Sequence, residues 1–266
     1  MNKIPREITN LAIYKAFKKS PYKSTKHLSY FDTYNELLNK YRGKSITFVE
    51  VGVLDGGSLF MWRNFFGKKA RIIGIEFNPE AKKWEKEGFE IYIGSQSDEK
   101  FWSNLFKKIG LVDIVLDDGG HTNQQQIVTA HKCIPFIKDD GLLIIEDTHT
   151  SYMTKFGNPS KYSFINWSKT IIDNINSRCK GINASNLVYK NYVHSVSFFE
   201  SIVCFKINRN KSIDSFPLDN RPGSFKAKDF RLKGTSLWNI SFFKSKYRFW
   251  LISRLQSLKV KKFFNL

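Results

Sequence analysis

The sequence predicts an α/β fold, a seven-stranded and mostly parallel sheet with helices on both faces. Three observations predict it. From Ser45 onward, short apolar runs rich in β-branched residues alternate with amphipathic stretches of helical spacing. Five of these runs end in Gly or acidic residues and are followed by helix-opening residues. The last two runs, NLVYKNYVH (186–194) and FFESIVCFKI (198–207), have no helical stretch between them and read as a closing antiparallel hairpin.

Each element follows in order. Residues 1–44 read as two helices, about 6–18 and 30–41, around the loop SPYKSTKH. SITFVEVG (45–52) is a β-branched strand ending at a glycine, and SLFMWRNFF (58–66) has helical spacing. ARIIGIEF (70–77) is a second buried strand. A helix opens after it at Asn78-Pro79, with proline at the first helical position. FEIYIG (89–94) is the third strand. SDEKFWSNLFKKIG (97–110) starts with Ser and acidic residues and ends with Lys-Lys-Ile-Gly, which is helix polarity. LVDIVLDDG (111–119) and GLLIIED (141–147) are two further strands, with a helix from about Asn123 to Phe136 between them. The chain thus divides into an N-terminal helical lid (1–44), a sheet domain (45–207) and a basic aromatic C-terminal extension (208–266). The extension is loop-like to about 235.

The composition of this 266-residue chain sets the function classes open to it. Its 41% hydrophobic and 15% aromatic content supports a buried core and excludes global disorder. No 18-residue uncharged apolar run occurs, so no membrane span is expected. The start, MNKIPREITN, lacks an apolar signal region, so a cytoplasmic protein is expected. Cys133, Cys179 and Cys204 lie far apart with no CxxC pair and read as reduced thiols, neither a zinc site nor a disulfide framework. The net charge of +19 is unevenly spread. Residues 1–44 carry 10 basic and 3 acidic side chains, and residues 207–266 carry 14 and 3. The middle holds 19 and 18 and is nearly neutral.

Open parallel sheets bind ligands beyond the carboxyl ends of their strands. The first such end is Glu50-Val-Gly-Val-Leu-Asp-Gly-Gly-Ser58. Glycines let backbone approach a ligand, and the next helix offers free N–H groups. A dinucleotide fingerprint needs glycine where Leu54 stands, which disfavours NAD and FAD. Gly52 and Gly56, with an acid two residues before Gly52, look instead like the cofactor loop of class I S-adenosylmethionine (SAM) methyltransferases. A plain strand–Gly–helix turn is the other reading. Glu76, 24 residues after Gly52, ends the second strand, where a carboxylate can accept hydrogen bonds from both ribose hydroxyls of an adenosine. Gly94-Ser95-Gln96 follows the third strand, where such folds meet the adenine edge or simply turn.

The fourth strand ends in Asp117-Asp118-Gly119-Gly120-His121 and the fifth in Glu146-Asp147-Thr148-His149. If these strands are neighbours, four carboxylates and two imidazoles converge. Unpaired burial of like charges is costly, and a divalent cation removes the conflict. Hard oxygen ligands suit Mg²⁺, with Asp118, Glu146 and Asp147 the candidate ligands. His121, beside glycines that leave room for substrate, is the candidate general base. The other readings are solvated strand ends with His121 capping a helix, and an iron oxygenase triad of Asp118, His121 and His149.

Five segments in this order, FVEVGVLDGGSLFMW, GIEFNPEAKK, VLDDGGHTNQQQI, GLLIIEDTHTSY and SFFESIVCFK, resemble the metal-dependent sugar O-methyltransferases of macrolide biosynthesis. Proteins labelled cephalosporin hydroxylase share the pattern. The resemblance covers about 22–207. It implies a Rossmann-like class I methyltransferase fold, SAM and Mg²⁺ as cofactors, and a small-molecule carbohydrate acceptor. By it, Asp118, Glu146 and Asp147 hold the metal and His121, with Asp118, does the catalytic work. The cofactor set is Glu50, Gly52, Gly56, Ser58, Glu76, Ser95, Gln96 and Asp117. An N-terminal element matched loosely by Thr25-Lys26-His27 and Tyr30 adds Lys26 and Tyr30 over SAM. Nothing after about 208 matches, so acceptor choice does not carry over.

The tail 236–264 sets Ile240, Phe243, Tyr247, Trp250 or Leu251, Leu255 and Leu258 near one helical face among interleaved Lys and Arg. Such a helix lies on an anionic membrane surface or packs on the domain or a second copy of the chain. A homo-oligomer is expected; packing is the favoured reading of the tail, with peripheral contact at the inner face of a membrane as the alternative. An RNA methyltransferase gripping phosphates through the basic ends is the rival reading, disfavoured because no RNA-binding motif is present. A non-enzymatic scaffold is a third, and the complete acidic constellation argues against it.

Overall fold

A computed structural model describes residues 4–157, 160–182 and 187–224. The chain divides into two compact units, Met1–Phe216 and Pro217–Leu266. The first unit carries the sheet and the N-terminal helices together. The second is described only over 217–224, without a helix or strand, and the expected helix at 236–264 lies outside the described residues. Among the described residues, no helix is long and apolar enough to cross a membrane.

The sheet strands are β1 (Thr47–Val51), β2 (Arg71–Glu76), β3 (Glu90–Ile93), β4 (Val112–Asp117), β5 (Ile137–Ile145), β6 (Val193–Phe199) and β7 (Ile202–Ile207). Their order is β3-β2-β1-β4-β5-β7-β6, parallel throughout except for β7, which runs antiparallel to both neighbours. The helices are α1 (Arg6–Asn10), α2 (Ala12–Lys18), α3 (Tyr30–Leu38), α4 (Gly57–Phe66), α5 (Glu99–Ile109), α6 (Asn123–Cys133) and α7 (Phe164–Asn176). The seven-stranded α/β architecture expected from the sequence is present.

Alternation along the strands explains the two layers of core. Phe48, Ile72, Ile114, Leu116, Leu142, Ile144 and Cys204 face one side, packed with the residues of α1–α4. Val49, Ile73, Val115, Leu143, Ile145, Val203 and Phe205 face the other, with α5–α7. Burial on both faces is why the strands read as near-continuous apolar runs. The helices expected at 6–18 and 30–41 pack Ile13, Tyr30, Tyr34 and Leu38 into the same core as the sheet.

Several boundaries differ from the sequence expectation. The first helix breaks at Leu11, whose extended backbone separates α1 from α2. The run after Asn78-Pro79 is a tighter 3₁₀ helix, Pro79–Glu87. The hairpin strands are shifted. Residues 187–192 form turns around the buried Tyr189, so the first strand begins at Val193 and the reversal falls at Glu200-Ser201, with Ser201 left-handed. Helix α7, capped by Ser163, lies in a stretch for which the sequence reading gave no element. The three cysteines are free thiols, two of them buried.

Candidate functional site

The strand order reverses between β1 and β4, and the loops after these strands open the crevice where α/β sheets take ligands. Two adjoining clefts lie there and share Gly52, Leu54, Asp118 and Gly119. One, of about 270 Å³, is lined by Glu76, Ser95, Gln96 and Gln125. The other, of about 490 Å³, is lined by Lys23–His27, Tyr30, Ser58, His121, Glu146 and Asp147.

In the smaller cleft, Glu76 ends β2 and accepts four backbone N–H bonds, from Val53 (2.8 Å), Leu54 (3.0 Å), Phe77 (2.8 Å) and Asn78 (3.0 Å). Burial works against its charge, but those amides outweigh it and hold the carboxyl below its ordinary value. Gly52 is left-handed, and a Cβ there would stand 2.2 Å from the Asp118 carbonyl oxygen, so this glycine lets the β1 and β4 loops touch. Gln96 is buried; its amide donates to both Asp117 oxygens at 3.0 Å and its oxygen accepts the Gly120 amide at 2.8 Å. Asp117 thus orders the loop that carries Asp118, and it lines neither cleft.

Glu50 and Gly56 also line neither cleft. Glu50 is fully buried and accepts from Ser58 Oγ (2.9 Å) and Trp62 Nε1 (2.8 Å). Burial pushes its carboxyl up to about 7. Gly56 is the left-handed cap of α4, packed so closely on Trp84 that a Cβ would meet the indole.

The larger cleft holds the acidic loops. β4 and β5 are hydrogen-bonded neighbours, with Asp117 opposite Ile145, so their ends project together. His121 Nε2 stands 3.3 Å from Asp147 Oδ2, and donor atoms of Asp118, His121 and Asp147 lie within 4.8 Å of one another. A second convergence within the same distance joins His27, Asp147 and His149, so His149 falls apart from the Asp118–His121 pair. Both His121 and Asp147 have left-handed backbones, with φ of +59° and +54°. Strain of this kind costs on the order of 1–2 kcal/mol per residue and concentrates at functional sites. A capping box between Thr122 and Gln125 starts α6 and leaves His121 as the last loop residue. The Thr150 hydroxyl lies within hydrogen-bond reach of the carbonyls of both His121 (2.9 Å) and Asp147 (2.8 Å), tying the two loops.

Helix α3 and the segment before it complete the site. Tyr30 donates to Asp147 Oδ1 at 2.5 Å, and Tyr34, one turn later, donates to Glu146. Burial, followed by the adjacent carboxylate, raises both phenols above their ordinary values. Lys26 Nζ donates to Asp118 Oδ2 at 2.5 Å and to Glu146 Oε2 at 2.8 Å. Burial opposes its charge, and those two carboxylates more than offset this, keeping the ammonium protonated well above the usual lysine value. Burial pushes Glu146 upward, and Lys26 works against it.

The structure therefore brings Asp118, His121, Glu146, Asp147, Lys26 and Tyr30 to one cleft, and Glu76, Ser95 and Gln96 to the other. Gly52 and Asp118 belong to both, while Ser58 lines the first. The donors fit a divalent cation: Asp118, Asp147 and His121 converge, and Glu146 adjoins with its oxygens bonded to Lys26 and Tyr34. Sequence reasoning missed Tyr34, Trp62, Thr150 and Ser201. Tyr34 follows Tyr30 by four residues and Trp62 follows Ser58 by four, so a shared helix face was the available signal. Ser201, at the hairpin reversal, stands with its hydroxyl 3.0 Å from the Tyr30 hydroxyl and pairs with His149.

No protein-family model matches the chain. It is 27% identical over 187 residues to demethylmacrocin O-methyltransferase of Streptomyces fradiae, covering 63% of this chain and 47% of that enzyme. It is 29% identical over 187 residues to mycinamicin VI 2''-O-methyltransferase of Micromonospora griseorubida, covering 63% and 46%. The chain thus spans about half the length of these curated relatives. Among solved structures, it superposes with a TM-score of 0.67 on the MycE methyltransferase of the mycinamycin biosynthetic pathway, in complex with Mg, SAH and mycinamycin VI. That match is 23% identical and covers 76% of this chain and 55% of the other. The shared fold is that of class I methyltransferases.

Proposed function

We propose that this chain is a SAM-dependent, divalent-cation-dependent O-methyltransferase acting on a hydroxyl of a sugar. The observation that carries the reading is the convergence of Asp118, His121 and Asp147 directly beside the cleft where Glu76 ends β2. The similarity to macrolide sugar O-methyltransferases supports it.

Glu76 is placed to accept ribose hydroxyls, exchanging part of its backbone amide bonds for them. Gly52 and Ser95 line the same crevice, and Gln96 shapes it through Asp117 and Gly120. The cofactor supplies a sulfonium methyl ready for in-line displacement. Asp118 and Asp147, with Glu146 adjoining, would hold Mg²⁺, which when bound would supply the charge that acidifies an acceptor hydroxyl.

His121 lines the acceptor cleft and takes the hydroxyl proton, while its Nε2 stays turned to Asp147. Asp147 stabilises the resulting imidazolium, and its own position is fixed by Tyr30. General-base help of this kind contributes roughly 10²–10⁴ in rate. Thr150 holds the His121 and Asp147 backbones together, preserving the alignment on which in-line transfer depends.

The proposal is tested by methyl transfer from SAM to a panel of nucleotide-sugars and glycosides, with Mg²⁺ and with EDTA. Transfer to at least one sugar that EDTA abolishes and Mg²⁺ restores is the expected result. Full activity of a metal-stripped sample would sink the metal role. Asp118→Ala is expected to remove turnover and retain binding of S-adenosylhomocysteine; loss of that binding would place Asp118 in the cofactor site instead.

A further inference from the structure

The Lys26 ammonium stands between two carboxylates that the proposed function gives to a divalent cation. It lies 2.5 Å from Asp118 Oδ2 and 2.8 Å from Glu146 Oε2, and its side chain is only 2% exposed. Glu146 is fully buried, and its other oxygen takes the Tyr34 phenol. Both Glu146 oxygens are thus engaged by donors of this chain. Lys26 belongs to the segment linking α2 to α3, whose residues 23–27 line the acceptor cleft. That segment is tethered to the β1 loop, where Ser20 Oγ donates to the Gly57 carbonyl at 2.7 Å.

We infer that Lys26 is a resident counter-ion of the acidic pocket, exchanged for the divalent cation when one binds. A buried carboxylate pair needs a positive partner, and the ammonium is that partner. A cation drawn to these carboxylates competes with Lys26 for Asp118 Oδ2 and Glu146 Oε2 and repels the ammonium, so the two occupy the pocket alternately. Departure of Lys26 draws the 23–27 segment with it, so cation entry opens the wall of the acceptor cleft. This makes Lys26 a positioning residue. The inference rests on the metal reading above, and its experiment separates the two.

Mn²⁺ is the probe, read by its electron paramagnetic resonance signal without any turnover. Lys26→Met removes the ammonium and keeps an apolar stem, and it is expected to bind Mn²⁺ at least about tenfold more tightly than the wild type. Equal or weaker binding by the variant, with the wild type still binding Mn²⁺, overturns the exchange and leaves the metal reading standing. No binding to either protein overturns both. A second measurement on the wild type avoids any loss of folding in the variant. Reductive methylation followed by mass spectrometry is expected to label Lys26 poorly without Mn²⁺ and several-fold more with it, while the exposed Lys68 is unaffected. Unchanged labelling of Lys26 overturns the exchange.

Discussion

His121 Nε2 lies 3.3 Å from Asp147 Oδ2, across a gap between two loops that leave neighbouring strands. Both residues sit in the left-handed region, and the Thr150 hydroxyl reaches both of their carbonyls. Asparagine tolerates that backbone better than alanine does, so His121→Asn isolates the imidazole. Turnover is expected to fall by about 10²–10⁴ with the affinity for S-adenosylhomocysteine unchanged. Steady-state rates beside calorimetric binding check it, and unchanged turnover would remove His121 as the base.

Glu76 serves the β1 loop and the proposed ribose contact together. Glu76→Ala is expected to weaken S-adenosylhomocysteine binding by roughly tenfold or more, since a charged acceptor is lost. The folded carboxyl is held below its ordinary value. Its contribution to stability is therefore present above that value and lost as pH falls through the folded pKa. Acid unfolding of the variant should show a shallower dependence below about pH 4. An identical acid limb in both proteins would contradict this role.

Gly52→Ala tests the contact between the β1 and β4 loops. The added Cβ meets the Asp118 carbonyl at 2.2 Å on a backbone with φ of +91°. Strain and collision together should cost at least about 2 kcal/mol of unfolding free energy. Denaturant melts measure it. A variant as stable as the wild type would show that the loops separate freely.

Glu50 is the buried carboxyl at which pH should act on the fold. Its folded value, about 7, stands above the ordinary one because of burial. Its contribution is thus complete below the ordinary carboxylate value and disappears as pH rises through about 7. Glu50→Gln keeps an acceptor for Trp62 and abolishes the ionisation. The melting temperature of the variant relative to wild type should rise by about 3 °C or more between about pH 5 and about pH 8. A constant difference across that range would refute the assignment.

Much of this was legible in the chain. Alternation of β-branched runs with amphipathic stretches determined the sheet, because a strand buried on both faces has to be apolar throughout. Glycines and acids at strand ends located the crevice, because backbone approach and charge are properties of residue type. The hairpin register was not legible, since NLVYKNYVH has strand composition whether it pairs or turns, and burial of Tyr189 decided it. The acidic loops were readable as a group, but their division was not. Asp117 turns inward to Gln96, Glu146 is taken by Lys26 and Tyr34, and Asp147 is left facing His121.

Sequence by itself determined the layers, the crevice and the chemical character of its rim, all of which follow from local pattern and residue type. Tertiary structure decided which carboxylate meets which partner. Lys26 is 92 residues from Asp118 and 120 from Glu146, and Tyr34 is 112 from Glu146. Pairings at that separation are set by how α3 packs on the sheet, and no local spacing encodes them.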